Sequence, residues 1–153
     1  MPDYNPTMKL LVAPIGCALL LIVAADKPKL TVKANPVMAF SPARIVASGE
    51  LSGGANDDQQ YYCPSIEWEW GDGTKSQEEA DCEPFEVGKS EIKRHFVAEH
   101  TYRIEEQTTT GPPDYRDFRI QLRLKKAGKV VTSGSTTVKI KPEMDSIAAS
   151  RRP

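Results

Sequence analysis

The sequence predicts an all-β sandwich of about seven strands, and three observations predict it. Short apolar–polar alternations recur along the chain, the period of half-buried strands. Twelve prolines and ten glycines lie scattered between these segments rather than clustered, which suits many short strands joined by turns. Past Ala25, no segment carries a convincing helical spacing of apolar residues.

Leu30-Thr31-Val32-Lys33-Ala34 is the first alternating segment, ended by Asn35-Pro36. Arg44 to Leu51 is the second, stopped by Ser52-Gly53-Gly54, and the polar stretch Ala55 to Gln60 is a loop. The third strand spans Ser65 to Trp70, where Ile66, Trp68 and Trp70 alternate with Glu67 and Glu69. Gly71-Asp72-Gly73 follows with residues that tolerate positive φ, so the chain reverses sharply there. Thr74 to Lys89 is polar and acidic, with Pro84 and Gly88, and reads as a long excursion. Ile92 to Val97 is a fourth strand leading to His100-Thr101-Tyr102, and a loop then carries Thr108 to Pro113. The clearest strand has Phe118, Ile120, Leu122 and Leu124 alternating with Arg119, Gln121, Arg123 and Lys125. Ala127-Gly128 turns the chain, and Lys129 to Lys141 returns it until Pro142. Residues 26–142 thus form the sandwich domain, and 143–153 a mobile tail.

The N-terminus reads as an export signal occupying residues 1–25. Lys9 precedes an apolar run from Leu10 to Ala25, and Val23-Ala24-Ala25 before Asp26 fits small-residue cleavage. Met1 to Thr7 carries an acid and no base, so a start at Met8 gives the better charged leader. The run is shorter than the roughly 20 residues of a spanning helix, which favours cleavage over a retained anchor. Gly16-Cys17 has the look of a lipoprotein box, yet the chain stays apolar beyond Cys17, where a lipoprotein turns polar. Removal of the leader takes Cys17 with it and leaves Cys63 and Cys82, with one possible pairing. In an oxidising compartment the two are expected to form a disulfide.

Trp68-Glu69-Trp70-Gly71-Asp72-Gly73-Thr74, answered by His100-Thr101-Tyr102, resembles the W-x-F-G-D-G and H-T-Y signatures of PKD domains. The likeness extends over most of Leu30 to Lys141, including Phe118-x-Ile120-x-Leu122-x-Leu124 and the closing Thr137-Val138-Lys139-Ile140. It implies an Ig-like β-sandwich of an extracellular protein, a module that binds, spaces or presents rather than catalyses. Trp70 stands where the family has Phe, and Arg116 where it has a glycine before the penultimate strand. The stretch from Gly73 to His100 is also longer than in the family and contains Cys82.

The residues with chemical potential receive mostly structural readings. Trp68 and Trp70 share one strand face and are expected to pack in the core rather than stack on sugars. Asp72, with Asp57 and Asp58, is a weak calcium candidate, since no D-x-D-x-D-G spacing accompanies it. Its bland role is to cap its own turn. His95 and His100 point to opposite strand faces and so do not share a metal. His100 is expected to hydrogen-bond in the corner that holds Tyr102. Glu67 and Glu69 form an acidic stripe on the solvent face, and Arg119, Arg123 and Lys125 a basic one. If their strands are neighbours, the stripes face each other.

The net charge of −1 supplies no basic footprint for nucleic acid. No G-x-S-x-G, H-E-x-x-H, Walker or C-x-x-C element is present. Together with the resemblance, this gives as the expected function an exported, non-catalytic PKD-like module, without cofactor. It is expected to mediate protein–protein interaction or adhesion with a protein or glycan partner in the extracellular or periplasmic space, and to meet a membrane only if the N-terminal segment is uncleaved. A carbohydrate-binding accessory protein, using Tyr61, Tyr62 or Tyr115, is one alternative. A small structural component of an envelope or extracellular assembly, docking by an edge strand, is the other.

Overall fold

The computed structural model describes residues 27–104 and 115–142. The leader with Leu10 to Ala25 and Cys17, the Thr108 to Pro113 loop and the 143–153 tail lie outside the described residues. Among the described residues there are eight strands: β1 (Lys29–Asn35), β2 (Met38–Phe40), β3 (Ala43–Ser52), β4 (Ser65–Glu69), β5 (Lys75–Glu78), β6 (His95–Tyr102), β7 (Arg116–Lys126) and β8 (Lys129–Lys141). They form a three-stranded sheet, β1-β3-β6, and a five-stranded sheet, β2-β8-β7-β4-β5. Apart from the parallel β2–β8 pair, the ladders are antiparallel. Taking β1, β3 and β6 as strands A, B and E, and β4, β7 and β8 as C, F and G, this is the strand distribution of an Ig-like sandwich. The predicted all-β fold is the observed one.

The alternation read from the sequence sets the layers. Leu30, Val32, Ile45, Ala47, Leu51 and Phe96 point inward from one sheet. Ile66, Trp68, Ile120, Leu122, Leu124, Val138 and Ile140 meet them from the other. Each buried side chain of this size contributes about 1.5–3 kcal/mol through removal from water. Along one side the sandwich closes where β1 crosses β8. A Cβ at Gly134 would lie 2.6 Å from the Leu30 carbonyl oxygen, so a larger residue there would push the sheets apart.

Three strands depart from the expectation. Lys75–Glu78, assigned to the excursion, pairs with β4 and makes a hairpin of the Trp68 strand. Met38–Phe40 is a three-residue edge strand beside β8. The strand placed at Ile92 starts three residues later, since Ile92 instead donates its backbone N–H to Asn56. The Cys63–Cys82 disulfide is formed, with Cα atoms 6.2 Å apart, and closes the base of the β4–β5 hairpin.

Candidate functional site

The corner built by the two signatures joins aromatic rings and polar groups from both sheets. β4 delivers Trp68 and Trp70 to the same inward face, and both are buried. The chain then turns through Gly71-Asp72-Gly73, closed by the Trp70 N–H donating to the Thr74 carbonyl. Gly71 is required twice over. Its φ is +82°, and a Cβ would sit 2.7 Å from the main-chain oxygen of Arg119 on β7. Asp72 Oδ1 accepts the N–H of Thr74 at 2.9 Å and its hydroxyl at 2.6 Å, the expected turn cap.

The opposite sheet supplies the rest. Alternation along β6 points Phe96, Ala98, His100 and Tyr102 inward and leaves Thr101 on the outer face. His100 Nε2 donates to Asp72 Oδ2 at 2.7 Å, and Tyr102 donates its hydroxyl to the Trp70 carbonyl at 2.7 Å. The rings run on as a stack. Trp68 lies over Trp70 with centroids 5.7 Å apart, and Trp70 over His100 at 4.8 Å. His100 meets Tyr102 edge-on at 4.6 Å, and Tyr102 meets Phe118 at 4.6 Å. The Trp70 indole N–H donates to the Ser76 hydroxyl of β5 at 2.9 Å.

These contacts set the charge states. Burial acts to raise the Asp72 pKa, but the Thr74 hydroxyl and amide and His100 outweigh it, so the carboxyl ionises below its usual range. Burial, followed by the nearby Asp72 charge, pushes the Tyr102 phenol well up, so it stays a neutral donor. Asp72 has both oxygens engaged by its own turn and by His100. Asp58 accepts the Gln60 N–H in the loop after β3. Among the described residues no group of three His, Cys, Asp or Glu side chains is placed to hold a metal ion. The calcium trio Asp57, Asp58 and Asp72 is therefore not brought together.

A second constellation covers the outer face of the larger sheet. β4 and β7 are neighbours, so the acidic and basic stripes do face each other. Glu67 accepts from Lys125 at 2.6 Å, from Gln77 at 2.7 Å and from Arg123 at 3.0 Å. Arg123 also bridges to Glu69 at 2.7 Å, and Lys75 pairs with Glu69. Two expectations need correction. Arg119 does not join the acids and donates to the Ser135 hydroxyl instead. Glu67 is not a solvated residue: only 4% of it is exposed, because its cross-strand partners cover it. The Lys125 hydrogen bond, helped by Arg123 and Gln77 and opposed by burial, lowers its pKa to about 2.

The tyrosines suggested for glycans are placed by the loops. Tyr61 is buried in the core, which removes it as a ligand platform. Tyr62 donates to the Glu83 carbonyl, packs edge-on against Phe85 and receives Lys126 on its own carbonyl. Tyr115 is partly exposed, with the Lys141 ammonium 4.1 Å above its ring. Sequence reasoning missed Arg94. Its guanidinium donates to the carbonyls of Leu51, Gly53 and Gly54 and to Asn56 Oδ1, fixing the loop after β3. Nothing in the pattern around Lys93-Arg94 marks it.

No family model matches the chain, and no curated protein matches it. Among solved structures, it is similar to a CARDB domain from Pyrococcus furiosus that was solved in complex with di-metal ions. The identity is 10%, the match covers 78% of this chain and 96% of that one, and the TM-score is 0.43. The described residues form an all-β sandwich of two sheets clasped at one corner by Trp70, Asp72, His100 and Tyr102.

Proposed function

We propose that this protein is an exported, non-catalytic module of PKD type that engages a protein partner outside the cytoplasm. The observation that carries the reading is the state of the signature corner. Its chemistry-bearing groups are occupied in holding two sheets together: Asp72 caps its turn and binds His100, and Tyr102 binds the Trp70 carbonyl. The Asp72–His100 pair is the arrangement that would otherwise suggest general-base chemistry. Among the described residues, no serine, threonine or cysteine side chain hydrogen-bonds His100. The Cys63–Cys82 bridge supports an oxidising compartment. With the corner closed, recognition is left to the loops and outer sheet faces, as in other sandwiches. Tyr62 and Tyr115 are held by Glu83 and Lys141, which favours a protein partner over a glycan.

The test is fractionation of the native host, intact mass measurement, and cross-linking capture on the tagged protein, with a glycan array in parallel. The expected result is a chain beginning near Asp26, outside the cytoplasm, oxidised, with a reproducible protein partner. A cytoplasmic chain with two free thiols would overturn the location, and array binding without protein capture would overturn the partner class.

A further inference from the structure

The two sheets have four edges, and sandwiches blunt such edges with short strands, lysine or proline. β2 is only three residues long, β5 is Lys-Ser-Gln-Glu and fully exposed, and β1 carries Lys29 and Lys33 and leans over β8. β6 is long and its one carboxylate, Glu99, is paired with Arg44 of β3. It runs for eight residues, His-Phe-Val-Ala-Glu-His-Thr-Tyr, without lysine or proline.

The ladder fixes which of its backbone groups face outward. In an antiparallel pair, alternate residues aim both N–H and C=O at the partner strand. Leu51 donates its N–H to the Arg94 carbonyl at 2.8 Å, which puts Arg94, Phe96, Ala98, His100 and Tyr102 in the set that faces β3. His95, Val97, Glu99 and Thr101 therefore aim their backbone groups away, and no described residue bonds them. Their side chains share the outer face, where Val97 is 67% exposed.

From this edge we infer that β6 is a self-association surface, on which a second copy of this chain adds its own β6 antiparallel about a two-fold axis at Val97. The sequence is self-complementary in that register. Val97 meets Val97 of the second copy, and His95 and Glu99, two residues to either side, meet Glu99 and His95 of the second copy. Arg44 Nε and Nη2 both donate to Glu99 Oε2, which leaves Oε1 for the incoming imidazole. A register one step along sets Val97 against Glu99, and one centred on Glu99 sets carboxylate against carboxylate, so both are disfavoured. The product is one continuous six-stranded sheet, β1-β3-β6 followed by its symmetry copy. One strand pair is a small interface, so the dimer is concentration-dependent. It does not depend on where the protein resides or on what other partner it has.

The test is sedimentation of the full, oxidised chain over a wide concentration range. Wild type is expected to pass from monomer to dimer. Val97→Lys sets like charges on the axis and should keep the protein monomeric. Val97→Pro removes an N–H that points away from β3, so it should abolish the dimer while circular dichroism stays native. His95→Glu opposes Glu99 of the second copy twice per dimer and should raise the dissociation constant about tenfold. Val37→Lys, at the exposed residue just before β2, should change nothing. A wild type monomeric throughout overturns the inference. So does a dimer that survives Val97→Lys and His95→Glu, or one lost only with Val37→Lys.

Discussion

Tyr102 donates its hydroxyl to the main-chain oxygen of Trp70 at 2.7 Å, and the bond spans the sandwich from β6 to the end of β4. Both residues are almost wholly buried, so the carbonyl has no water to fall back on. Removing the hydroxyl as Tyr102→Phe leaves a buried acceptor unpaired and should cost about 1–3 kcal/mol. Denaturant unfolding measures it. Replacing Tyr102 by Phe should keep the ring contact with Phe118, so the loss belongs to the hydrogen bond.

Acid should destabilise the fold in a window set by Glu67. Its folded pKa is about 2 against an ordinary 4.5, so the stability it contributes is complete above 4.5 and is lost as pH falls toward 2. Glu69 and Asp72 are also lowered and act with the same sign. Glu67→Gln should be less stable than wild type at pH 7, with a shallower decline in melting temperature between 4.5 and 2. A parallel decline in the two proteins would show that the lost stability comes from elsewhere.

The β7–β8 turn holds a correctable strain. Ala127 has φ +48° and Gly128 φ +76°, the pattern of a type I′ hairpin turn, in which alanine is a poor first residue. Ala127→Asn should raise stability by about 0.5–1 kcal/mol, read as a higher melting temperature with an unchanged fold.

Much of this architecture is legible in the chain because a period of two follows directly from which face is buried. The alternation of Phe118 to Leu124 fixes β7, and the Ala127-Gly128 dipeptide fixes its hairpin. β5 is not legible, since Lys75–Glu78 is polar on both faces and its pairing is dictated by the turn at Gly71-Asp72-Gly73. Met38–Phe40 is too short to show any period. In the corner, the cap of Asp72 on Thr74 is local and readable, whereas its bond to His100 joins residues 28 apart and exists only once the sheets have packed. The burial of Glu67 is invisible for a related reason. It arises from the stems of Arg123 and Lys125 on another strand, and no property of Glu67 itself announces it.

The disulfide should contribute to stability without defining the fold. Cys63 and Cys82 are 19 residues apart in sequence, a loop whose closure is worth about 3 kcal/mol in the chain-entropy model. The tryptophans pack against each other and His100, with no need of the bridge. Cys63→Ser combined with Cys82→Ser should therefore melt at lower temperature with a native circular dichroism spectrum. Loss of the folded signal at room temperature would show that the bridge is indispensable.

The same bridge gives the Trp68 hairpin an uncommon topology. β4, its exposed Gly71-Asp72-Gly73 tip and β5 lie within the segment that Cys63 and Cys82 close, so the hairpin is a covalent ring. A peptidase that clips the tip opens the ring but detaches nothing, because each new end stays tied through the two sulfurs. A nicked molecule would keep both strands of the hairpin in place, and the damage would show only after reduction, when one chain becomes two.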